Sequence, residues 1–420
     1  MMNTKGWDIV SFTSIVHLNS AIHDSWKEEN AFFDIVYSDY SLHGKFGIWN
    51  VADGGGGRYI RMELPVTKAV FSVEGREDMD LSGMVIAADV MLNFFESADS
   101  EKNAGRSELK FDFKRVVSPT KQAEAHSFCN EEGGYVLPIS IWNISAEAEI
   151  FEGVILESIC QYLVDNPHKV NSVFANIAYA NGGSRDWLKP VHCAYSYLDG
   201  KTKYLAIMAV CTERIISDLP LDIDISGIDK SSGDTFFVIS SEWFLKNVIT
   251  NTLAGMFRTG ADAFSLSGDR LTNNRRVSLP SITVGAIDYD PHVSAGGVAA
   301  YISGSSLSVN LNSGYCDLYL GITMSWLSLY TFQAKLESGN IRFETTSSHF
   351  SHSEDIPWYL RFIPLSFIID ICVACISDSL AGKISISGDI TTQGIDSVKW
   401  YGTGAVVKAV TLHSSLILRY

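Results

Sequence analysis

The sequence predicts a strand-rich α+β fold built in two successive passes. Three observations carry that prediction. An apolar helix is followed by a long run of strand pattern that closes on a second apolar helix, over residues 14–179 and again over 240–380. At 420 residues the chain exceeds one ordinary core, so two domains are expected. Its 46% apolar content is that of a folded chain and excludes disorder.

The first pass opens at 14–26, where Ile15, Leu18, Ile22 and Trp26 share one stripe and Asn19, Asp24 and Lys27 lie off it. Apolar residues at three- and four-residue steps make a helix. Strand pattern follows over 32–37, 46–51, 59–65, 66–73, 84–95, 109–116 and 135–144. Alternation is strict in Leu109-Lys110-Phe111-Asp112-Phe113-Lys114, so one face is expected buried and the other wet. A helix at 150–163 sets Phe151, Val154, Ile155, Ile159, Tyr162 and Leu163 on a broad stripe. Asn166-Pro167 ends it, because the residue before proline is biased away from helix. A hairpin of 193–198 and 204–210 turns at Asp199-Gly200, residues that accept positive φ. Residues 215–234, rich in Asp, Ser and Gly, mark a boundary between 1–225 and 226–420. The terminal strands remain free to form a shared central sheet.

In the second pass Ser240 or Ser241 caps a helix, with Glu242 well placed in its first turn. Phe244, Leu245, Val248, Ile249, Leu253, Met256 and Phe257 give it a wide apolar arc, which implies burial on more than one side. Strands over 277–344, punctuated by Ala295-Gly296-Gly297 and Ser338-Gly339, lead to a helix from Pro357 to residue 380. Strands at 383–390 and 398–418 finish the chain. The passes align by element order at roughly 210–225 residues, a weak internal duplication.

A long antiparallel sheet beside two helices per half must hide its apolar face on another sheet or around a helix. A 17-residue helix is only ~25 Å long, so a wide arc needs a concave sheet to cover it. Gly54–Gly57 and residues 303–308 would permit the bending. An imperfect wrap leaves a groove suited to an acyl chain, lined by Ile15, Leu18, Ile22, Ile155, Ile159, Phe244, Val248, Leu253 and Met256. A fully packed core without ligand is the alternative.

The net charge of −16 argues against nucleic acid and against simple docking on an anionic membrane. Seven cysteines, odd in number and without framework spacing, read as reduced and buried in a chain made in a cytosol. The start MMNTKGWDIVSF has neither a basic region nor an unbroken apolar stretch, so no secretory signal is expected. Residues 358–376 carry Arg361 and Asp370 and are broken by Pro364, so they read as a buried helix and not a membrane span.

No motif in the sequence carries catalytic chemistry. Gly54–Gly57 lacks a following Lys-Ser/Thr and reads as a hairpin loop. His349-Phe-Ser-His352, near Glu354 and Asp355, lacks metalloprotease spacing and reads as a polar loop. Cys372-Val-Ala-Cys375 lies in an apolar run without redox context, and Ser118-Pro-Thr-Lys121 has no companion motif. Asp222-Ile-Asp224 and Asp288-Tyr-Asp290 read as solvated strand ends. Lys110, Lys114 and Arg115 form a basic group that could meet a lipid headgroup or protect a sheet edge, and Arg275-Arg276 form another. No metal or cofactor is expected, and the chain reads as non-enzymatic.

Two short signatures add a family resemblance. Gly6-Trp7-Asp8-Ile9-Val10 is the first. The second is Gly47-Ile48-Trp49-Asn50-Val51 with Gly54–Gly57, an alternating strand at 58–64 and Pro65-Val66. With the chain's size and a terminal strand containing Trp400, they resemble the clostridial P-forty-seven/OrfX proteins encoded beside botulinum-type neurotoxins. The resemblance implies an elongated TULIP (tubular lipid-binding) fold, two pseudo-repeats with helices held in highly curved antiparallel sheets. It implies lipid or phosphoinositide binding, or an accessory role in toxin delivery with toxin-cluster partners and extracellular release. A protein-interaction scaffold is the alternative function.

Overall fold

Two serine hydroxyls, Ser14 and Ser240, each end a strand and begin a helix. These junctions organise the molecule. The computed structural model describes residues 3–28, 31–97, 105–117, 134–169, 173–180, 187–225, 228, 235–284, 286–318, 321–358, 370, 371, 374, 396–402 and 406–420. Three helices matter here. They are α1 (Ile15–Ser25), α2 (Glu152–Asp165) and α3, which joins Ser241–Phe244, a π-helical stretch Leu245–Ile249 and Thr250–Met256.

Ser14 is extended at φ −68° and ψ 148°, and its hydroxyl accepts the His17 N–H at 3.2 Å. Ser240, at φ −58° and ψ 151°, accepts the Trp243 N–H at the same distance. Each cap satisfies a donor that the helix start would leave orphaned. The π stretch of α3 has a local cause: Thr250 and Thr252 hydroxyls donate to the Leu245 and Val248 carbonyls, in competition with the helical ladder.

The strands before these caps, Ile9–Ser14 and Thr235–Ser240, lie side by side and antiparallel in a six-stranded central sheet. Its order is His192–Leu198, Tyr204–Val210, Ile9–Ser14, Thr235–Ser240, Ser415–Arg419 and Ala409–Leu412. The three middle strands are buried on both faces. One face joins the two main cores through Ile9, Leu205, Ile207 and Phe237. The other packs Trp7, Phe12 and Phe236 beneath Ile216, Leu219, Leu221 and Ile223. The described part of the Asp- and Ser-rich boundary segment therefore covers the central sheet.

A ten-stranded N-terminal sheet runs Phe32–Val36, Tyr40–Phe46, Tyr59–Val73, Val85–Glu96, Arg106–Phe111, Val173–Ala178 and Val398–Trp400, with three further strands paired alongside. It is covered by α1 and α2. An eight-stranded C-terminal sheet ends in three long strands, Ser306–Leu318, Ile322–Glu337 and Asn340–Asp355, and shares its core with α3. The fold is thus strand-rich, and the segment Val398–Trp400 returns to the N-terminal sheet.

Several expectations change. Residues 46–51 do not form one strand: Phe46 ends a strand, Gly47 N–H bonds the Pro65 carbonyl at 2.7 Å, and Asn50 begins the next. The strands expected at 59–65 and 66–73 are one, because Pro65 sits where Tyr59–Val73 exchanges neighbours beside a bulge at Lys45/Phe46. A missing N–H is tolerated at such a place. The alternating strand stops at Phe111, and Asp112 is buried, its carboxylate taking the Gly134 N–H at 2.8 Å and Asn93 Nδ2 at 3.2 Å. His349 and His352 lie in the long edge strand Asn340–Asp355 and not in a loop. The motifs at 118–121 and 372–375, the strand at 383–390 and most of the helix from Pro357 lie outside the described residues. Among the described residues no helix is long and apolar enough to cross a membrane.

Candidate functional site

The expected groove residues split between two helix seams. Ile15, Leu18, Ile22, Ile155 and Ile159 are buried under the N-terminal sheet, and Ile155 and Ile159 are 0% exposed. Phe244, Leu253 and Met256 are buried in the C-terminal core, with Val248 half-buried beside them. Phe244 stacks on Phe343 with ring centroids 5.7 Å apart. Both seams are occupied by side chains.

An open groove lies elsewhere, on the outer face of the N-terminal sheet. It has a volume of about 930 Å³ and is bordered by Trp26 and Glu28 after α1, by Phe32, Lys45 and Ile48, and by Lys68 and Val70. Strand register explains it. Phe32, Lys45 and Lys68 form one cross-strand row, and Asp34, His43 and Val70 form the next. Phe32 is 58% exposed and Val70 41%, large apolar surfaces left to water. Phe33 and Phe46, with ring centroids 4.6 Å apart, complete the lining and separate the groove from Tyr162 of α2.

Two lysines side by side repel, and the site answers this in part. Lys45 pairs with Glu28 and lies over the Phe32 ring, 5.3 Å from its centroid. His43 pairs with Asp34. Lys68 makes no ion pair among the described residues. The Glu28 carboxyl is lowered by its hydrogen bond and charge contact with Lys45. Just behind the groove, the indole N–H of Trp49 is buried without a hydrogen-bond partner among the described residues.

The basic group foreseen as a headgroup site is placed otherwise. Lys110 pairs with Glu108, and Lys114 lies 3.6 Å from the Asp112 carboxylate. Arg115 follows the strand, exposed. Arg275 pairs with Asp262 at 2.8 Å. Sequence reasoning missed the groove because its neighbours come from three strands. The one local signal was the outward apolar pair Phe32 and Val36 around Asp34.

Three thiols among the described residues are held protonated. Burial pushes the Cys160 and Cys211 thiols far up and that of Cys193 to about 12, so they stay protonated near neutral pH. Burial also raises the Asp8 carboxyl, opposed by the Cys211 N–H at 2.8 Å and by Arg214. Among the described residues no three His, Cys, Asp or Glu side chains gather as a metal site.

Comparison with known proteins places the fold. Protein P47 of Clostridium botulinum (strain Kyoto / Type A2) is 24% identical over 324 residues, 74% of this chain and 72% of that protein. Protein OrfX3 of Paraclostridium bifermentans is 23% identical over 323 residues, 69% of this chain and 65% of the relative. The structure of P47 from Clostridium botulinum A2 matches with a TM-score of 0.75 at 20% identity, covering 100% of this chain and 98% of that one. P47 of Clostridium botulinum E1 matches at 0.74 and 19%, covering 99% of each. The sequence model of the OrfX-like family, described as Protein OrfX2/OrfX3/P47, matches residues 4–312, and the chain belongs to that family.

Proposed function

We propose that this chain is a non-enzymatic lipid-binding accessory protein that takes an acyl chain in the outer groove beside α1. The carrying observation is the open groove of about 930 Å³, with Phe32 and Val70 exposed on its walls and Lys68, without an ion pair among the described residues, at its rim. Its volume falls within the range of small-molecule sites, ~300–1,000 Å³. Each CH₂ moved there from water gains about 0.8 kcal/mol. The helix-face residues Ile15, Leu18, Ile22, Ile155, Ile159, Phe244, Val248, Leu253 and Met256 belong to this proposal as the walls a longer chain would part. Lys110, Lys114 and Arg115 belong to it as a further headgroup contact, reached by exchanging their carboxylate partners. Phosphoinositides and toxin-cluster proteins are the partners that the family resemblance suggests, after cytosolic synthesis and release with a toxin complex.

The same reading treats 1–225 and 226–420 as two TULIP-like pseudo-repeats around a shared central sheet. Support comes from the matching junctions at Ser14 and Ser240. Native mass spectrometry of purified protein, with lipid extraction and liposome flotation, tests the lipid reading. A ligand-free protein that ignores liposomes of every composition tried would refute it. A second reading, a protein-interaction scaffold, is favoured by the filled helix seams. Co-purification with neighbouring gene products in the absence of lipid would establish it.

A further inference from the structure

We infer that the C-terminal sheet carries a separate site for a neutral carbohydrate. A groove of about 670 Å³ opens on that sheet, lined by His292, Asn312, Tyr315, Ser325, Ser351 and Ser353 among others. Register aligns four of these into one row across four strands: His292 faces Tyr315, Tyr315 faces Ser325, and Ser325 faces Ser353. A bulge between Leu311 and Gly314 breaks the ladder and sets Asn312 and Ser313 at the rim. Such bulges re-aim side chains at sites.

The chemistry of the lining selects the ligand. No Asp, Glu, Lys or Arg is among the described residues that line the groove, and the carboxylates next to it are engaged, Glu354 by His352 at 3.0 Å and Asp317 by the Tyr315 hydroxyl, so an ionic group would lose hydration without a dedicated counter-charge. Leu327 is the one aliphatic side chain among the described lining residues, and the remaining apolar surface belongs largely to rings such as Tyr315 and Trp326, so an acyl chain would find no continuous aliphatic wall. What remains are serine hydroxyls, an amide and imidazoles, groups that both donate and accept, beside the paired rings of His292 and Tyr315 at 5.2 Å. A pyranose presents hydroxyls around its rim and C–H groups on its face. It matches both features. Tyr315 is fixed by donating its hydroxyl to Asp317 at 3.0 Å, and Trp326, 3% exposed, has an indole N–H with no partner among the described residues. Because sugar hydroxyls exchange water bonds for protein bonds nearly evenly, the dissociation constant expected is about millimolar.

Saturation-transfer NMR on the full chain with lactose and N-acetylglucosamine tests this, with sialyllactose and octanoate as charged and apolar arms. Signal from the neutral sugars at about 10 mM is expected. It should fall at least fivefold in Asn312→Ala and in Ser325→Trp, which fills the groove, with melting temperatures unchanged. Three results would overturn the inference. They are no neutral-sugar signal, a signal indifferent to the folded Asn312→Ala protein, or a clear preference for sialyllactose or octanoate. Lipid binding at the α1 groove is read separately by native mass spectrometry, so either site can fail alone.

Discussion

Tyr195 and Tyr197 stand two residues apart on one strand of the central sheet, both buried, and their hydroxyls have opposite fates. Tyr195 accepts the Leu92 N–H at 2.9 Å and reaches the Arg58 and Leu92 carbonyls at 2.6 and 2.8 Å, pinning the N-terminal sheet to the central one. Tyr197 has a buried hydroxyl with no partner among the described residues, and burial lifts its ionisation to about 12. Tyr195→Phe strands a buried amide and removes the donor to two carbonyls. A lost bond is worth about 1 kcal/mol and an orphaned buried donor about 1–3, so a loss of about 2–3 kcal/mol is expected. Tyr197→Phe removes a group already desolvated without compensation, so a change between zero and about 1 kcal/mol of stabilisation is expected. Urea unfolding of both variants measures the difference, and hydrogen exchange at the Leu92 amide localises it. Equal destabilisation by the two, or an unchanged Leu92 amide in Tyr195→Phe, would refute the reasoning.

Arg61 holds the fully buried Asp89 carboxylate through bonds of 2.8 and 3.0 Å. Arg61→Met should cost about 3–5 kcal/mol in urea unfolding, and a paired Arg61→Met/Asp89→Leu protein much less. Asp8 is raised above 3.8 by burial. A raised acid contributes stability that is full below the unfolded value and lost as pH rises through the folded one, so wild type should lose stability relative to Asp8→Asn on going upward from pH 3.8. Paired urea midpoints across that window check the sign, and a wild-type midpoint that rises relative to Asp8→Asn as pH increases would contradict it. Ser14→Ala and Ser240→Ala should each cost about 1 kcal/mol, with Ser→Gly costing only a few tenths.

What was legible in the sequence was local. The α1 stripe and its serine, the Asn166 stop of α2 and the broad arc of α3 are i, i+3, i+4 signals, and the structure returns them nearly residue for residue. Partnership between distant strands was not legible, since hydrophobic pattern does not encode which strand answers which. Tyr204–Val210 is buried throughout because it lies inside the central sheet, yet no local feature names Ile9–Ser14 as its neighbour. The tryptophans of the recognised signatures gain a physical role only in three dimensions. Trp7 donates to the Pro220 carbonyl at 2.8 Å, and Trp400 to Ser11 Oγ at 2.9 Å, closing contacts over long stretches of chain. The outer groove escaped notice for the same reason, being a product of register.

Where a lipid would enter can be decided by magnitude. Opening the α3 seam displaces Phe244, Val248, Leu253 and Met256, each worth about 1.5–3 kcal/mol of burial, or roughly 6–12 in all. A chain of ~12 carbons gains about 10 kcal/mol on leaving water and little on leaving a bilayer. For a chain of this length the seam therefore breaks even from water and loses from a membrane, and only a longer chain would part it. The outer groove displaces nothing, because Phe32 and Val70 are already exposed. It follows that Val70→Asp should abolish acyl retention, whereas Leu253→Met should leave it intact in native mass spectra. The reverse pattern would move the ligand into the α3 seam.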